Sequence, residues 1–300
     1  MRQVLITGGT CYVGRALIAA LVDRGLTPHV LVRPGSDRTR FDALPRLPVF
    51  HVHDGSTAGL ARIARTIQAD IAFHLAGLYR RIHTPEDVDR LLDANVVFGT
   101  RLLEALRDAG TRRLVNVASC HQYLDGGAYR PFNLYAATKE AFEAILAYYR
   151  DAGHLDATTL VLFDTYGPGD WRPKLMAAIR GALATGTPLP LPASDLPMDM
   201  AHVDDVVSAL LHAADLLERD APAVNGRRFA VTSGDRRSIE GIVKVFEKVA
   251  GKPVQRQWGA YPMPDREITR LWDGPLLPGW TPGVTLEDGI RRFLNADTNG

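Results

Sequence analysis

Three residues of this sequence could carry out proton transfer to a carbonyl oxygen. Tyr135 and Lys139 begin and end the segment YAATK, and a spacing of four places them on one face of a helix. A neighbouring ammonium stabilises the phenolate form of a tyrosine, whose reference pKa is about 10. Ser119 ends the apolar run RLVNVAS, where its hydroxyl could steady the oxygen that Tyr135 protonates. A surface Tyr–Lys pair is the simpler alternative.

A glycine-rich turn near the N-terminus could bind the phosphates of a dinucleotide. The segment VLITGGTCYVG joins an apolar run to a helical pattern, so backbone N–H groups and the helix dipole would converge on a pyrophosphate. Cys11 stands where the spacing G-x-x-G-x-x-G has its middle glycine, and an ordinary βα loop is the alternative. The predicted cofactor contacts in the turn are Gly8, Thr10, Cys11, Tyr12, Val13 and Gly14.

Basic residues follow the second predicted strand, where an acidic residue would hold an adenosine 2′-hydroxyl. Arg33 and Arg38 lie in the segment VLVRPGSDR. A guanidinium suits a 2′-phosphate and cannot accept a hydrogen bond from a hydroxyl. The sequence therefore favours NADP(H) over NAD(H), although two solvated loop charges would look the same.

Short apolar runs alternate with amphipathic helical segments through the first two-thirds of the chain. This alternation predicts an α/β fold with a Rossmann-type, doubly wound parallel sheet that is covered on both faces. The predicted strands are Gln3–Thr7, His29–Arg33, Val49–His53, Ile71–Leu75, Arg113–Ala118 and Thr158–Phe163. The predicted helices between them are Val13–Arg24, Ala58–Gln68, Pro85–Ala109 and Leu134–Asp151.

The chain becomes rich in Pro and Gly after Tyr166, which predicts a smaller, loop-rich substrate-binding portion. Two further helices are predicted there, near Asp204–Glu218 and Ser238–Gly251. We expect the dinucleotide-binding Rossmann domain to comprise residues 1–166 and 200–218. The substrate-binding portion would comprise residues 167–199 and 219–300.

Composition favours a small-molecule enzyme of the cytoplasm. With 35 Lys and Arg against 34 Asp and Glu, the chain has no charge excess that would draw it to nucleic acid or to a membrane surface. Its two cysteines indicate neither a disulfide framework nor a metal site. No leader pattern and no apolar run of about 18 residues is present in the sequence.

These motifs resemble the extended short-chain dehydrogenase/reductase family over nearly the whole chain. The similar stretches are TGGTCYVG, FHLAG, YAATK, LFDTYGPGD and HVDDVVSAL. The resemblance implies further cofactor contacts at Asp54, Leu75, Ala76, Gly77, Phe163 and Thr165. It also implies a homodimer formed through the helices around Leu91–Ala109 and Leu134–Asp151.

Within that family the chain looks most like reductases of nucleotide-linked 4-keto-6-deoxyhexoses, those of the abequose-synthase type. Arg172 and Lys174 fall where the substrate diphosphate could be clamped, unless they are only solvated lid charges. The nucleotide-sugar 4,6-dehydratases carry an acidic pair after the catalytic serine, whereas Cys120 and His121 stand here, so dehydration is disfavoured. Both residues are assigned to the sugar pocket, where His121 would either shape the pocket or act as an acid or base.

The predicted reaction is a reduction of a ketone by NADPH. Hydride would pass to the keto carbon, Tyr135 would protonate the oxygen, Ser119 would stabilise the developing charge and Lys139 would keep Tyr135 reactive. One alternative is a nucleotide-sugar 4-epimerase that retains NAD. Another is a dinucleotide-binding sensor without catalytic activity.

Overall fold

The computed structural model describes residues 2–262 and 266–296, whose centre is a parallel sheet of seven strands. The strands of the sheet, and the short strands outside it, follow in chain order. They are β1 Val4–Thr7, β2 His29–Val32, β3 Val49–Val52, β4 Ile71–His74, β5 Arg113–Ser119, β6 Asp156–Leu162, β7 Asp164–Tyr166, β8 Leu189–Leu191, β9 Pro197–Met198, β10 Met200–His202, β11 Arg228–Val231, β12 Arg237–Ser238 and β13 Arg256–Trp258. The order across the sheet is β11-β6-β5-β4-β1-β2-β3.

Helices cover both faces of this sheet and build most of the remaining structure. The α-helices are α1 Tyr12–Asp23, α2 Thr57–Ile67, α3 Asp87–Leu92, α4 Phe98–Ala109, α5 Leu134–Asp151, α6 Leu175–Thr185, α7 Val203–Arg219, α8 Ala221–Val224, α9 Ile239–Ala250 and α10 Leu286–Asn295. A π-helical turn, Asp93–Val97, joins α3 to α4. Short 3₁₀ helices span Thr39–Phe41 and Cys120–Gln122.

Apolar strands pack between two layers of helices. On one face, β1, β2 and β4 contribute Ile6, Val30 and Phe73 to a core shared with α1 and α7. On the other face, Leu5 and Leu114 pack with residues of α2, α4 and α5. Since successive strand residues point to opposite faces, a strand covered on both faces is mostly apolar, and all four residues of β1 are buried.

The doubly wound architecture predicted from the sequence is confirmed. The order of the strands reverses between β1 and β4, so the carboxyl ends of these two strands open a crevice. Helices α6, α8 and α10 and the short strands outside the main sheet were not predicted, and two further differences concern predicted elements. Strand β11 lies in the range 219–300 that was given to the substrate-binding portion, yet it pairs with β6 as the edge of the main sheet. The predicted helix Pro85–Ala109 is interrupted by the π-helical turn.

A third core lies outside the sheet, among the segments beyond Tyr166. Helices α6, α9 and α10 enclose it with Ile179, Phe246 and Phe293. Strand β13 pairs with β8 and strand β12 with β9, so this portion has its own small sheets. The division into two portions stays a prediction, with β11 belonging to the main sheet. Within residues 2–262 and 266–296, no helix combines the length and the apolar character that a membrane crossing requires.

Candidate active site

The N-terminal turn is shaped by close backbone approaches that exclude side chains. Gly8 has φ +72°, and a Cβ there would lie 2.5 Å from the backbone nitrogen of Ala76. A Cβ at Gly14 would lie 2.3 Å from the carbonyl oxygen of Gly8. The first turn of α1 therefore sits directly on the loop that follows β1. The N-terminus of α1 therefore lies at the carboxyl end of the sheet, where its N–H groups would stabilise a pyrophosphate.

We predict that Gly14→Ala destabilises this turn by about 1–3 kcal/mol, because the new Cβ meets backbone atoms that cannot move aside. Thermal unfolding with and without added dinucleotide measures the effect, and the stabilisation by dinucleotide should shrink as well. Gly181→Ala is the matched control, since Gly181 is helical and no heavy atom lies within 4 Å of the place that the new methyl group would take. That change should raise stability by about 1 kcal/mol. Equal effects at both positions would contradict the assignment.

Cys11 replaces the middle glycine of the phosphate-binding spacing and caps helix α1. Its Sγ accepts a hydrogen bond from the Gly14 backbone nitrogen at 3.3 Å, and its own backbone N–H donates to the Gly8 carbonyl at 3.0 Å. Tyr12 and Val13 are buried, and the Tyr12 hydroxyl donates to the Pro168 carbonyl at 3.1 Å. The cysteine is thus compatible with the turn, because a thiol can take the capping position.

The loop after β4 lies against the phosphate-binding turn. The backbone N–H groups of Leu75 and Ala76 donate to the Thr7 carbonyl at 3.2 Å and to the Thr7 hydroxyl at 3.3 Å. Asn95, on the π-helical turn, accepts from the Leu78 N–H at 2.7 Å and donates to the Thr138 hydroxyl at 2.9 Å. This amide therefore fixes the loop to α5. Gly77, beside it, is exposed.

The residues predicted around the adenosine lie beyond β2 and β3. Arg33 is exposed, and the Arg38 guanidinium lies 5.1 Å from the centre of the Phe50 ring. Asp54 accepts hydrogen bonds from the Ser56 hydroxyl at 2.8 Å and the Ser56 backbone N–H at 2.9 Å, which lowers the pKa of its carboxyl. These side chains occupy the edge of the crevice where an adenosine would lie.

The three candidate catalytic residues come from two elements that meet at the carboxyl end of the sheet. Asn133 caps α5 by accepting from the Ala136 N–H at 3.0 Å, so Tyr135 lies in the first turn and Lys139 in the next. Ser119 is the last residue of β5. Lys139 is only 4% exposed. The described part of the chain places no carboxylate within ion-pair distance of its ammonium, which is free to bind a ribose.

The pKa of Tyr135 shifts in the direction opposite to that predicted from Lys139. Burial raises the pKa of the phenol, and the nearby ionisable groups of Tyr79, Cys120 and Cys11 act in the same sense. The Ser119 side chain, as a hydrogen-bond partner of the phenol, acts in the opposite sense and lowers this pKa. Ser119 therefore lies close to the phenol. Burial therefore outweighs any lowering by Lys139 in the protein alone, and the lowering expected from this ammonium together with a positively charged nicotinamide stays a prediction. Tyr135 is held as a neutral phenol.

Burial also decides the charge of Lys139 and of its neighbour His74. Desolvation lowers the pKa of Lys139 to about 8, although the Glu143 carboxylate acts against it. His74 is fully buried, and desolvation together with the Lys139 charge lowers the pKa of its imidazole to about 3. Its Nδ1 lies 2.8 Å from the Thr7 hydroxyl. The histidine is a neutral support of the turn and Lys139 is the local cation.

Cys120 and His121 form one wall beside Tyr135. Cys120 is buried, with its thiol pKa raised by desolvation. The His121 ring lies 5.6 Å from the ring of Tyr79 and 5.2 Å from that of Phe132. Desolvation lowers the pKa of His121 to about 4, so its imidazole is neutral at pH 7. It could accept a proton only weakly, which favours a role in shaping the pocket.

The two basic residues predicted to clamp a diphosphate are both paired with carboxylates. Arg172 binds Asp170 at 2.7 Å, donates to the Thr165 carbonyl at 2.7 Å and lies 4.5 Å from the centre of the Tyr12 ring. Lys174 lies 3.0 Å from the Asp164 carboxylate. Asp164 is desolvated, but the charge of Lys174 and its hydrogen bond outweigh this and lower the pKa of the carboxyl. A diphosphate would have to exchange with these carboxylates.

Sequence reasoning missed two residues of the site. The Tyr79 ring meets that of Tyr135 edge-on, with the ring centres 5.1 Å apart. Asp164 carries the carboxylate beside His121 and Lys174. Tyr79 lies shortly after FHLAG at the end of β4, and this position at the carboxyl end of a strand was the signal that could have identified it. Phe163, just before Asp164, is buried against Cys120 and Tyr123.

The residues present fit a nicotinamide dinucleotide. The absence of a Cβ at Gly8 and Gly14 leaves a cradle of backbone N–H groups, and Lys139 offers a buried ammonium close to Tyr135. The turn follows β1 and Ser119 ends β5, so both lie at the carboxyl edge of the same parallel sheet. Gly8 and Gly14 would hold the phosphates of the dinucleotide, and Tyr135 and Lys139 would lie on the side of the sheet where its nicotinamide has to react.

Comparison with known proteins gives the same assignment. The model of the NAD dependent epimerase/dehydratase family matches residues 4–226. The chain is 27% identical to UDP-glucose 4-epimerase of Mycolicibacterium smegmatis, over 97% of each chain. It is 25% identical to CDP-abequose synthase of Salmonella muenchen, over 98% of this chain and 97% of that protein. The structure of Thermus thermophilus UDP-glucose 4-epimerase in complex with NAD is similar, with a TM-score of 0.79 and 25% identity over 98% of each chain. The protein thus belongs to the NAD dependent epimerase/dehydratase family, whose members are NAD(P)-dependent enzymes of the extended short-chain dehydrogenase/reductase type.

Proposed function

We propose that the protein is an NADPH-dependent reductase of a nucleotide-linked 4-keto-6-deoxy sugar. The observation that carries the proposal is that Tyr135, in the first turn of α5, and Ser119, the last residue of β5, meet at the carboxyl end of the sheet, with Lys139 buried one helical turn from Tyr135. A reductase must deliver a proton to the carbonyl oxygen, and a phenol whose pKa is raised keeps that proton at neutral pH. The pocket therefore begins its cycle in the state that a reduction needs.

Each catalytic residue has one task in this reaction. The reduced nicotinamide, when bound, supplies the hydride that the keto carbon receives. Tyr135 gives its proton to the oxygen, which becomes the hydroxyl of the product, and is then reprotonated from solvent. The Ser119 hydroxyl donates a hydrogen bond to the oxygen as negative charge develops. The Lys139 ammonium would hold the ribose and stabilise the phenolate left on Tyr135.

Three observations support the choice of substrate and cofactor. The Salmonella relative is a CDP-abequose synthase, and it aligns over nearly all of this chain. Cys120 and His121 follow Ser119 at the positions where the dehydratases have an acidic pair. This difference favours reduction of a ketone over dehydration. Arg33 is an exposed cation at the end of β2 and could bind a 2′-phosphate, so NADP(H) is part of the proposal and NAD(H) its alternative. Arg172 and Lys174 remain the proposed diphosphate contacts.

A nucleotide-sugar 4-epimerase is the second candidate. The Mycolicibacterium and Thermus proteins are UDP-glucose 4-epimerases, and the structure of the Thermus protein is that of its complex with NAD. An epimerase would oxidise and then reduce the same carbon, so purified protein should hold NAD and consume no reduced cofactor. A reductase has to release its oxidised cofactor after every turnover.

A substrate screen separates the two candidates. Purified protein would be mixed with nucleoside-diphosphate 4-keto-6-deoxy sugars and either NADPH or NADH, while cofactor absorbance is followed. We expect oxidation of one reduced cofactor that depends on both enzyme and sugar, faster with NADPH. Absence of oxidation with every sugar, together with interconversion of UDP-hexoses and NAD in the purified protein, would refute the reductase and favour the epimerase.

Association and location complete the proposal. We propose a homodimer formed through the helices around Leu91–Ala109 and Leu134–Asp151. Leu92 and Tyr148 support this surface, because they are 42% and 62% exposed on those elements. Sedimentation of the purified protein would test the dimer. A cytoplasmic location and the division into two portions likewise remain proposals.

A further inference from the structure

A fully buried glutamine lies directly behind the catalytic serine. Gln122 is 0% exposed, and its Oε1 accepts a hydrogen bond from the Ser119 backbone N–H at 3.1 Å. The Ser119 Oγ in turn accepts from the His121 backbone N–H at 3.3 Å. These two bonds form a reciprocal cap on the short 3₁₀ helix that starts after Ser119. The serine is therefore fixed through its backbone and through its hydroxyl oxygen.

The other end of the Gln122 amide is held by two carboxylates of α5. Its Nε2 donates to Glu140 at 2.7 Å and to Glu143 at 2.9 Å, so both amide hydrogens are used. A flipped amide would turn its oxygen toward two carboxylates and its NH₂ group toward the Ser119 N–H. Every contact would then be repulsive. The orientation of this side chain is thus determined by its surroundings.

Arg228, from the edge strand β11, neutralises the two carboxylates. Its Nη2 donates to Glu140 at 2.8 Å, its Nε lies 2.8 Å from Glu143, and its Nη1 donates to the Tyr123 hydroxyl at 3.0 Å. The Glu143 side chain is only 4% exposed, so an unpaired carboxylate there would be costly. Burial raises the pKa of Glu143, and the Arg228 guanidinium acts against this.

The same cluster also reaches the catalytic lysine. Glu143 follows Lys139 by four residues on α5, which places the two side chains on one face of the helix. Its carboxylate favours the charged form of Lys139. Gln122, Glu140, Glu143 and Arg228 therefore connect the edge of the sheet to both Ser119 and Lys139.

We propose that Gln122 is a positioning residue that holds the Ser119 hydroxyl at the reaction site, with Glu140, Glu143 and Arg228 fixing its amide. The inference rests on the proposed function, because it assigns a task within that reaction. Gln122 touches no substrate. It acts only through Ser119, so its loss should matter only while the serine hydroxyl is present.

The test is a double-mutant cycle between Gln122→Met and Ser119→Ala. Gln122→Met keeps the volume and removes both ends of the amide. We expect kcat to fall about 100-fold with little change in KM, since misplacement of a reacting group by about 1 Å costs that much. In the Ser119→Ala background the same change should cost less than about twofold. Additive losses in the double variant would overturn the proposal, as would an unchanged kcat in Gln122→Met.

Asn225→Leu is the matched control. Asn225 also accepts from a backbone N–H, that of Ala157 at 3.0 Å, and donates to a carboxylate, that of Asp156 at 2.6 Å. It lies at the opposite end of the sheet, where β6 begins. This variant loses a similar pair of hydrogen bonds and should lose similar thermal stability, while kcat stays at the wild-type value. If kcat fell as much in Asn225→Leu as in Gln122→Met, the loss of any such amide would have the same effect, and this would contradict a specific role of Gln122.

Two further measurements test the inference independently of the double-mutant cycle. If Gln122→Met does not fold, Glu140→Ala removes one acceptor of the amide from a partly exposed site, and a severalfold fall in kcat should again vanish in Ser119→Ala. A crystal structure of Gln122→Met should show the Ser119 hydroxyl displaced. A Ser119 hydroxyl that has not moved would overturn the inference about Gln122, whether or not the wild-type protein turns over any sugar. Absence of turnover in the wild-type protein would by itself refute only the proposed function.

Discussion

Tyr135→Phe should lower kcat by about 10²–10⁴-fold, the usual contribution of a positioned general acid. The phenylalanine keeps the ring that meets Tyr79 edge-on at 5.1 Å, so the pocket should keep its shape. What disappears is the proton for the carbonyl oxygen and the partner of the Ser119 hydroxyl. Binding of the dinucleotide depends on Gly8, Gly14 and Lys139 and should be unchanged.

Single-turnover oxidation of NADPH measures the loss, and titration of the dinucleotide by protein fluorescence measures binding. Tyr148→Phe is the control on the same helix, because Tyr148 is 62% exposed and lies away from the crevice. It should turn over at the wild-type rate. Undiminished turnover in Tyr135→Phe would refute the catalytic assignment and favour a dinucleotide-binding protein whose tyrosine has no chemical task.

The fold could be predicted because its determinants are local. Short, mostly apolar runs such as VLIT and IAFH that alternate with amphipathic helical segments are typical of a parallel sheet covered on both faces, and the first is followed by a glycine turn and a helix. Strand β11 was missed because RFAV stands among Pro- and Gly-rich segments and lacks a following crossover pattern of its own. Its place at the edge depends on pairing with β6, which sequence spacing does not encode.

The order of the catalytic residues along the chain was predictable, whereas their electrostatics were not. Tyr135, Lys139 and Ser119 are identified by spacing and by position at the end of a strand or the start of a helix. The pKa of Tyr135 depends instead on desolvation and on residues that are distant in sequence, among them Tyr79 and Cys11. A local Tyr–Lys pair suggested a lowered pKa, and burial reversed the direction. The partners of Gln122 are also distant in sequence, so the pattern SCHQY gave no sign of its role.

The carboxylate partners of Arg172 and Lys174 were not predicted, although they are near in sequence. Asp170 precedes Arg172 by two positions, and Asp164 precedes Lys174 by ten, so both acids stand in the same segment as the two predicted diphosphate contacts. The acidic and the basic residues of such a segment have to be considered together when its net charge is assessed. The two ion pairs leave no net charge, and a diphosphate bound here would gain from the cations only by displacing the carboxylates.

The proposed reaction should lose activity as pH rises through about 8, with Lys139 as the titrating group. Burial lowers the pKa of this ammonium to about 8, so it is charged below that pH and neutral above it. A neutral lysine no longer stabilises the phenolate left on Tyr135. Far above the midpoint, kcat/KM should fall about tenfold for each pH unit, as expected for loss of one proton. The histidines of the site do not explain such a limb, because the pKa values of His74 and His121 are lowered to about 3 and about 4.

Lys139→Met tests this assignment, since it removes the charge and keeps an unbranched apolar stem. We expect kcat/KM to fall at least about 100-fold at pH 7 and the decline above pH 8 to disappear from what remains. Lys252→Met, at an exposed position after α9, should keep both the rate and the decline. Initial rates of NADPH oxidation between pH 6 and about 10 measure both properties, with controls for cofactor stability. A decline that persists unchanged in Lys139→Met would assign it to another group and leave the lysine without its proposed task, because no other cation is buried beside Tyr135 among the residues that the structure describes.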